Sequence, residues 1–160
     1  MTEHDTAEIA FDATFVKRIP KALTFSEIVD ELSVNLIDHD LVTSDYPAAV
    51  KAREVEFPTG LPTEPIGVAI PHTDPKYVRQ NAISVAVLKN PIRMTVMGTD
   101  DETVNVSIVF LLSLGQSNKQ LNILAKIMKI VQDQKALTKI MNASPDEIAT
   151  VVRDSILEDK

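Results

Sequence analysis

Residues 104–114 read VNVSIVFLLSL, and this stretch decides the fold. Its β-branched and aromatic side chains suit a pleated strand. Its centre, 108–112, holds no polar residue and is the longest apolar run in the chain. A strand with one wet face alternates, so an unbroken apolar centre predicts burial on both faces. Such a strand needs helices above and below it. Downstream, 119–131 (KQLNILAKIMKIV) has a helical period, and a shorter helix is expected over 135–141. Ser144-Pro145-Asp146-Glu147 then combines an N-cap serine, proline at N1 and an acid at N3, opening a last helix through Val151, Val152 and Ile156.

Upstream, 83–88 (ISVAVL) and 66–70 (IGVAI) are further strands, the second stopped by Pro71. Thr24-Phe25-Ser26-Glu27 fits a capping box, with Ile28, Val29, Leu32 and Leu36 on one face of the helix behind it. A second helix is expected to open near Ser44, with Pro47 in its first turn, and to end before Pro58. Residues 11–18 read as a short strand. Five of the nine prolines fall in 58–75, a segment read as loop, strand and loop. The order is strand, two helices, three or four strands, then two or three helices, which predicts an α/β fold of three layers. A flexible tail is expected over 1–10 and one domain over 11–157.

At 160 residues the chain is of single-domain length. Cysteine is absent, which excludes disulfides, thiolate metal sites and a cysteine nucleophile. The net charge is −7, and all of it lies in residues 1–80, with 7 basic and 14 acidic side chains. Neither half has the basic footprint of a nucleic-acid binder. No run approaches the ~20 apolar residues that span a bilayer, and the acidic start is unlike a signal peptide, so a cytoplasmic location without membrane insertion is expected. No Gly-rich phosphate loop, nucleophile elbow or paired-histidine metal motif occurs, so no cofactor or metal is expected.

Three histidines remain. His4 sits in a polar tail, and His39, in Asp38-His39-Asp40, reads as a helix-end residue. His72 directly follows an apolar strand and a proline in PIGVAIPHTD (65–74). Its imidazole projects from a rigid element at the C-terminal end of a strand, where open α/β sheets place their sites. A neutral imidazole is a nucleophile. The competing reading is a turn histidine bonded to Thr73 or Asp74. Arg53 lies in a charge-alternating segment, 51–56, that reads first as a solvated helix face. The same segment leads through FPTG (57–60) toward the His72 strand and can carry the guanidinium to the imidazole. Gln120 falls in the apolar arc of its helix. It either caps that helix, through the box Ser117-Asn118-Lys119-Gln120, or reaches a ligand; spacing leaves both open.

REVEFPTG (53–60), a short spacer and IGVAIPH (66–72) resemble, in this order, the enzyme IIA domains of the fructose–mannitol class of the bacterial phosphoenolpyruvate-dependent sugar phosphotransferase system. LNILAKIMKIV (121–131) is similar to the helix after that family's longest strand, and the likeness runs over about 10–157. It implies a mixed sheet, here of about five strands, with helices on both faces. It also implies a phosphotransferase that carries phosphohistidine. His72 matches the histidine that takes a phosphoryl group from phospho-HPr and passes it to a cysteine of enzyme IIB, the partner of the membrane enzyme IIC. Arg53 matches the arginine beside the phosphate. Many members have a second histidine where this chain has Gln120, and often glycine where it has Thr73. The first departure and the AREVEFPTG wording resemble the galactitol branch. Alternatives within the family are a fructose or mannitol carrier and a regulatory enzyme IIA acting on another protein. Outside it, a non-catalytic binding module on the same scaffold stays open.

Overall fold

A computed structural model describes residues 9–115 and 119–157, with side chains throughout except at 119–122 and 156–157. Five strands, β1 (Val16–Ile19), β2 (Gly60–Leu61), β3 (Gly67–Ala69), β4 (Ala82–Thr95) and β5 (Thr103–Ser113), form one sheet in the order β1-β4-β5-β3-β2. β1 runs parallel to β4 and β3 parallel to β5, while β4–β5 and β2–β3 are antiparallel. The sheet is therefore mixed. Two groups of helices cover it in a three-layer α/β arrangement. α1 (Phe25–Asp38) and α2 (Tyr46–Glu56) pack on each other, and α1 lies against β4. α3 (Lys119–Val131), α4 (Gln134–Asn142) and α5 (Pro145–Val152) pack in sequence, and α5 lies against β1.

The apolar centre of 104–114 is the middle of the core, as its pattern requires. Ile108, Val109, Phe110 and Leu111 have no exposed surface. Each such side chain contributes roughly 1.5–3 kcal/mol of burial free energy. Both expected capping boxes are present. Thr24 and Glu27 close the first turn of α1, and Ser144 and Glu147 that of α5. His39 is the C-cap of α1, and its Nδ1–H donates to the Asn35 carbonyl at 2.8 Å, which is the helix-end role its neighbours suggested.

The differences have local causes. Residues 11–18 are not one strand. The Asp12 carboxylate accepts the Thr14 N–H at 2.8 Å and holds Ala13–Phe15 in a 3-10 turn, so only Val16–Ile19 pair. Ile9 is buried and Ala10 pairs with Ala82, so packing begins inside the segment expected as a tail. β4 continues past residue 88 to Thr95 because a register irregularity between Val87 and Ile92 accommodates Pro91 in the strand. The short β2 escaped the sequence pattern, having only two residues.

Glycine is required at both ends of the β2–β3 ribbon. A Cβ on Gly60 would stand 2.6 Å from the Thr95 carbonyl oxygen, and one on Gly67 would stand 2.1 Å from that of Asn105. The two glycines let this ribbon lie against the β4–β5 hairpin, and the ribbon carries the segment that leads to His72.

Candidate functional site

His72 leaves the end of β3 after Pro71. Its Nδ1 lies 2.9 Å from the carbonyl oxygen of Ile70. A carbonyl only accepts, so Nδ1 carries the proton and the lone pair is on Nε2. The turn reading is thereby corrected, because the imidazole bonds the strand backbone and not Thr73 or Asp74. The flanking peptides are tied down too. The Ile70 N–H donates to the Thr59 carbonyl at 3.3 Å, and the Leu112 N–H donates to the Pro71 carbonyl at 3.0 Å. From beneath, the buried Tyr46 hydroxyl donates to the Leu112 carbonyl at 2.7 Å. Burial holds that phenol far above the ordinary tyrosine range, so it stays a neutral donor.

Arg53 stands in the last turn of α2, with its guanidinium 4.9 Å from the centre of the Phe57 ring. Nη1 donates to Asp74 Oδ1 at 3.4 Å, while Nε is shut off from solvent with no hydrogen-bond partner. The solvated-face reading of Arg53 therefore does not hold: the side chain folds back over Phe57 toward the His72 loop. Arg53 and His72 line one small cleft of about 230 Å³ with Thr73, Asp74, Pro75, Leu112, Leu114 and Leu124. A nucleophilic imidazole nitrogen, a cationic fork and an apolar wall thus converge at the C-terminal end of a strand. Gln120 belongs to the first turn of α3, whose Leu124 reaches the cleft. The Gln120 side chain and the proposed box from Ser117 lie outside the described residues, as does His4. Among the described residues no group of three or more His, Asp or Glu gathers to hold a metal ion.

Pattern reading passed over Tyr46, Glu54 and Thr59. Glu54 accepts the Thr59 N–H on Oε2 and the Thr59 hydroxyl on Oε1, both at 2.8 Å. Burial pushes its carboxyl above the usual range, against the opposing pull of those two bonds. Both residues fall within REVEFPTG (53–60), but apart from that resemblance their only signal is their spacing around a proline. Such spacing is common in loops.

A three-layer α/β fold in which a histidine after a strand end shares a small cleft with an arginine defines the class. The chain matches the model of the phosphoenolpyruvate-dependent sugar phosphotransferase system EIIA 2 family over residues 10–155, and it belongs to that family, whose members are phosphotransferase components. Over 99 residues, 62% of the chain, it is 31% identical to the galactitol-specific EIIA component of Escherichia coli K12, of which the match spans 65%. The complex of mannitol enzyme IIA with phosphorylated enzyme IIB from E. coli contains a similar fold, with TM-score 0.73 and 17% identity, covering 91% of this chain and 99% of that one. So does the nitrogen regulatory protein IIA-Ntr of Neisseria meningitidis, with TM-score 0.68 and 18% identity, covering 92% and 97%. Among the described residues no helix is long and apolar enough to cross a membrane.

Proposed function

We propose that His72 is the phosphoryl carrier of this chain. The hydrogen bond from Nδ1 to Ile70 carries the reading, because it leaves Nε2 as the lone-pair nitrogen beside Arg53. Nε2 attacks the phosphorus of the phosphohistidine on HPr, the donor P–N bond breaks, and a P–Nε2 bond forms. A cysteine thiolate of enzyme IIB then takes the phosphoryl group and Nε2 regains its lone pair. Nδ1 keeps its proton throughout. Phosphoryl transfer asks little covalent work of a protein beyond positioning and charge stabilisation. Arg53 supplies the charge, and its fork suits two phosphoryl oxygens at once. On this reading Gln120, in the first turn of α3, adds one neutral amide bond to the phosphoryl group. No nucleotide or metal enters the scheme, since the group arrives already on nitrogen.

Both partners must reach the same imidazole. Val55, Phe57 and Met97 are exposed apolar side chains that line one cleft with Glu56 and Asp100, and Phe57 joins this face to Arg53. That face suits two transient protein partners of modest contact area, with enzyme IIC reached only through enzyme IIB. Such a relay works in the cytoplasm. The 31% identity to a galactitol-specific EIIA component supports galactitol or a related polyol as the transported compound. Fructose and mannitol carriers are the neighbouring alternatives, because the sugar never touches this chain. A regulatory role is the other alternative, since a nitrogen regulatory IIA protein shares the fold.

Incubation with phosphoenolpyruvate, enzyme I and HPr tests the reading. Acid-labile, base-stable phosphate mapped to His72, and lost in His72→Ala, is the expected result. Label on His4 or His39, or full transfer by the variant, overturns it. The identity of the IIB domain that accepts the phosphate decides the sugar, and capture of a regulator in its place decides for regulation.

A further inference from the structure

We infer that Glu54 is a positioning residue for the His72–Arg53 pair, acting through Thr59 and Ile70. The inference rests on the reading of His72 as the phosphoryl carrier. Its ground is one continuous chain of hydrogen bonds. Both Glu54 oxygens receive Thr59, one its N–H and the other its hydroxyl, at 2.8 Å each. The Thr59 carbonyl receives the Ile70 N–H at 3.3 Å, and the Ile70 carbonyl receives His72 Nδ1–H at 2.9 Å.

The geometry gives each link a task. Glu54 is the residue after Arg53 in the last turn of α2, and Phe57, whose ring carries the guanidinium, lies inside the loop that the Glu54–Thr59 clasp closes. Thr59 precedes β2, and Ile70 follows β3. Their bond extends the antiparallel ladder in which Gly60 faces Ala69. Fixing Thr59 to Glu54 therefore fixes the end of α2, which bears the cation, relative to the end of β3, which bears the nucleophile. Without the clasp, residues 57–59 keep the Phe57 N–H bond to Arg53, the ring contact with its guanidinium and the Thr59 carbonyl bond between helix and strand. A half-buried carboxylate costs desolvation, which the raised protonation range of Glu54 reports. A plain loop closure has no need of so costly a group. A pair whose relative placement sets the rate does, since a misplacement of about 1 Å can cost 10²-fold.

The test compares Glu54→Ala, Glu54→Gln and Thr59→Val. Glutamine keeps the shape and both contacts, its oxygen accepting the N–H and its amide donating to the hydroxyl. Valine at 59 keeps the N–H bond and loses the hydroxyl bond. Phosphoryl acceptance from phospho-HPr is followed under saturating and limiting donor. The His72 Nδ1–H and Arg53 Nε–H resonances are recorded on each folded, phosphate-free protein. Glu54→Ala is expected to lower kcat at least tenfold with little change in KM, and to shift or broaden both resonances. Glu54→Gln is expected to restore kcat to within about threefold. Should Glu54→Ala not fold, Thr59→Val carries the same comparison with a smaller loss. Wild-type kcat in Glu54→Ala or Thr59→Val overturns the inference, as do unshifted resonances in a variant with lowered kcat. If wild-type protein takes no phosphate on His72, the carrier reading fails. In that case shifted resonances in Glu54→Ala still support the mechanical link, and unshifted ones refute it.

Discussion

The Nδ1–H of His72 donates to the carbonyl of Ile70, two residues back along the segment that leaves β3. This short loop of backbone leaves the ring little freedom to rotate and fixes which nitrogen is free. It also makes the placement of the imidazole depend on strand placement, because Ile70 is itself held by Thr59 and Pro71 by Leu112. Disturbing the β2–β3 ribbon therefore disturbs the imidazole.

Arg53→Ala is expected to slow phosphoryl acceptance on the order of 10³-fold, the scale of arginine loss in related phosphoryl chemistry. Arg53→Lys should fall between, since an ammonium keeps the charge and loses the fork. Melting temperature should fall only slightly, because the ion pair is long, at 3.4 Å, its Asp74 side is exposed, and such pairs contribute ~0–1 kcal/mol. Rapid-quench kinetics and thermal melts check the two halves separately. A wild-type rate in Arg53→Ala removes the arginine from the mechanism.

Gly67→Ala should destabilise by about 3 kcal/mol, near the upper end for overpacking. The new methyl would meet the Asn105 backbone oxygen, which has no flexible end to swing away. For a chain of this length that is a fall of roughly 6–12 °C in melting temperature. A shift under about 2 °C would show that β5 yields at no cost.

Tyr46→Phe removes a buried donor from the Leu112 carbonyl and should cost about 1 kcal/mol, read as a lower urea midpoint. The phenol also gives a pH signature. Its native value is raised by burial, so the folded state holds this proton more tightly than the unfolded chain. Its contribution is intact below the ordinary tyrosine range of ~10 and is lost as pH climbs through that range toward the native value. Urea midpoints should decline more steeply above about pH 9.5 in wild type than in Tyr46→Phe.

Glu54 titrates with the same sign in the acid range. Its native value is raised by burial, so the protonated form favours folding. That stability is present below the ordinary glutamate value and is lost as pH rises through the native one. Glu54→Gln, which cannot ionise, should therefore gain on wild type in urea midpoint as pH rises from the ordinary glutamate value of ~4.3 through the native one. A constant difference across that window would mean the carboxyl is not perturbed by its burial.

Gln120→Glu separates the two readings of that residue. If the amide bonds the phosphoryl group, the added anion repels it, and transfer slows while the melting temperature holds. If the side chain only caps α3, the carboxylate serves equally well at N3 and transfer proceeds at the wild-type rate. Stopped-flow transfer from phospho-HPr decides between them.

The chain's own pattern determined the layers. The apolar centre of 104–114 required cover on both faces, and the two capping boxes started α1 and α5 where they occur. It also picked out His72, because a histidine after a proline at a strand end is conspicuous in one dimension. These features are local or periodic, and local sterics and hydrophobic burial enforce them without distant partners. Whether Arg53 was a solvated helix residue or part of the site could not be read from 51–56, because the answer lies in the ring of Phe57 and the carboxylate of Asp74. The chain from Glu54 through Thr59 to Ile70 was hidden for the same reason. Its links join a helix end to two strand ends, and a hydrogen bond between segments exists only once both have been folded into place.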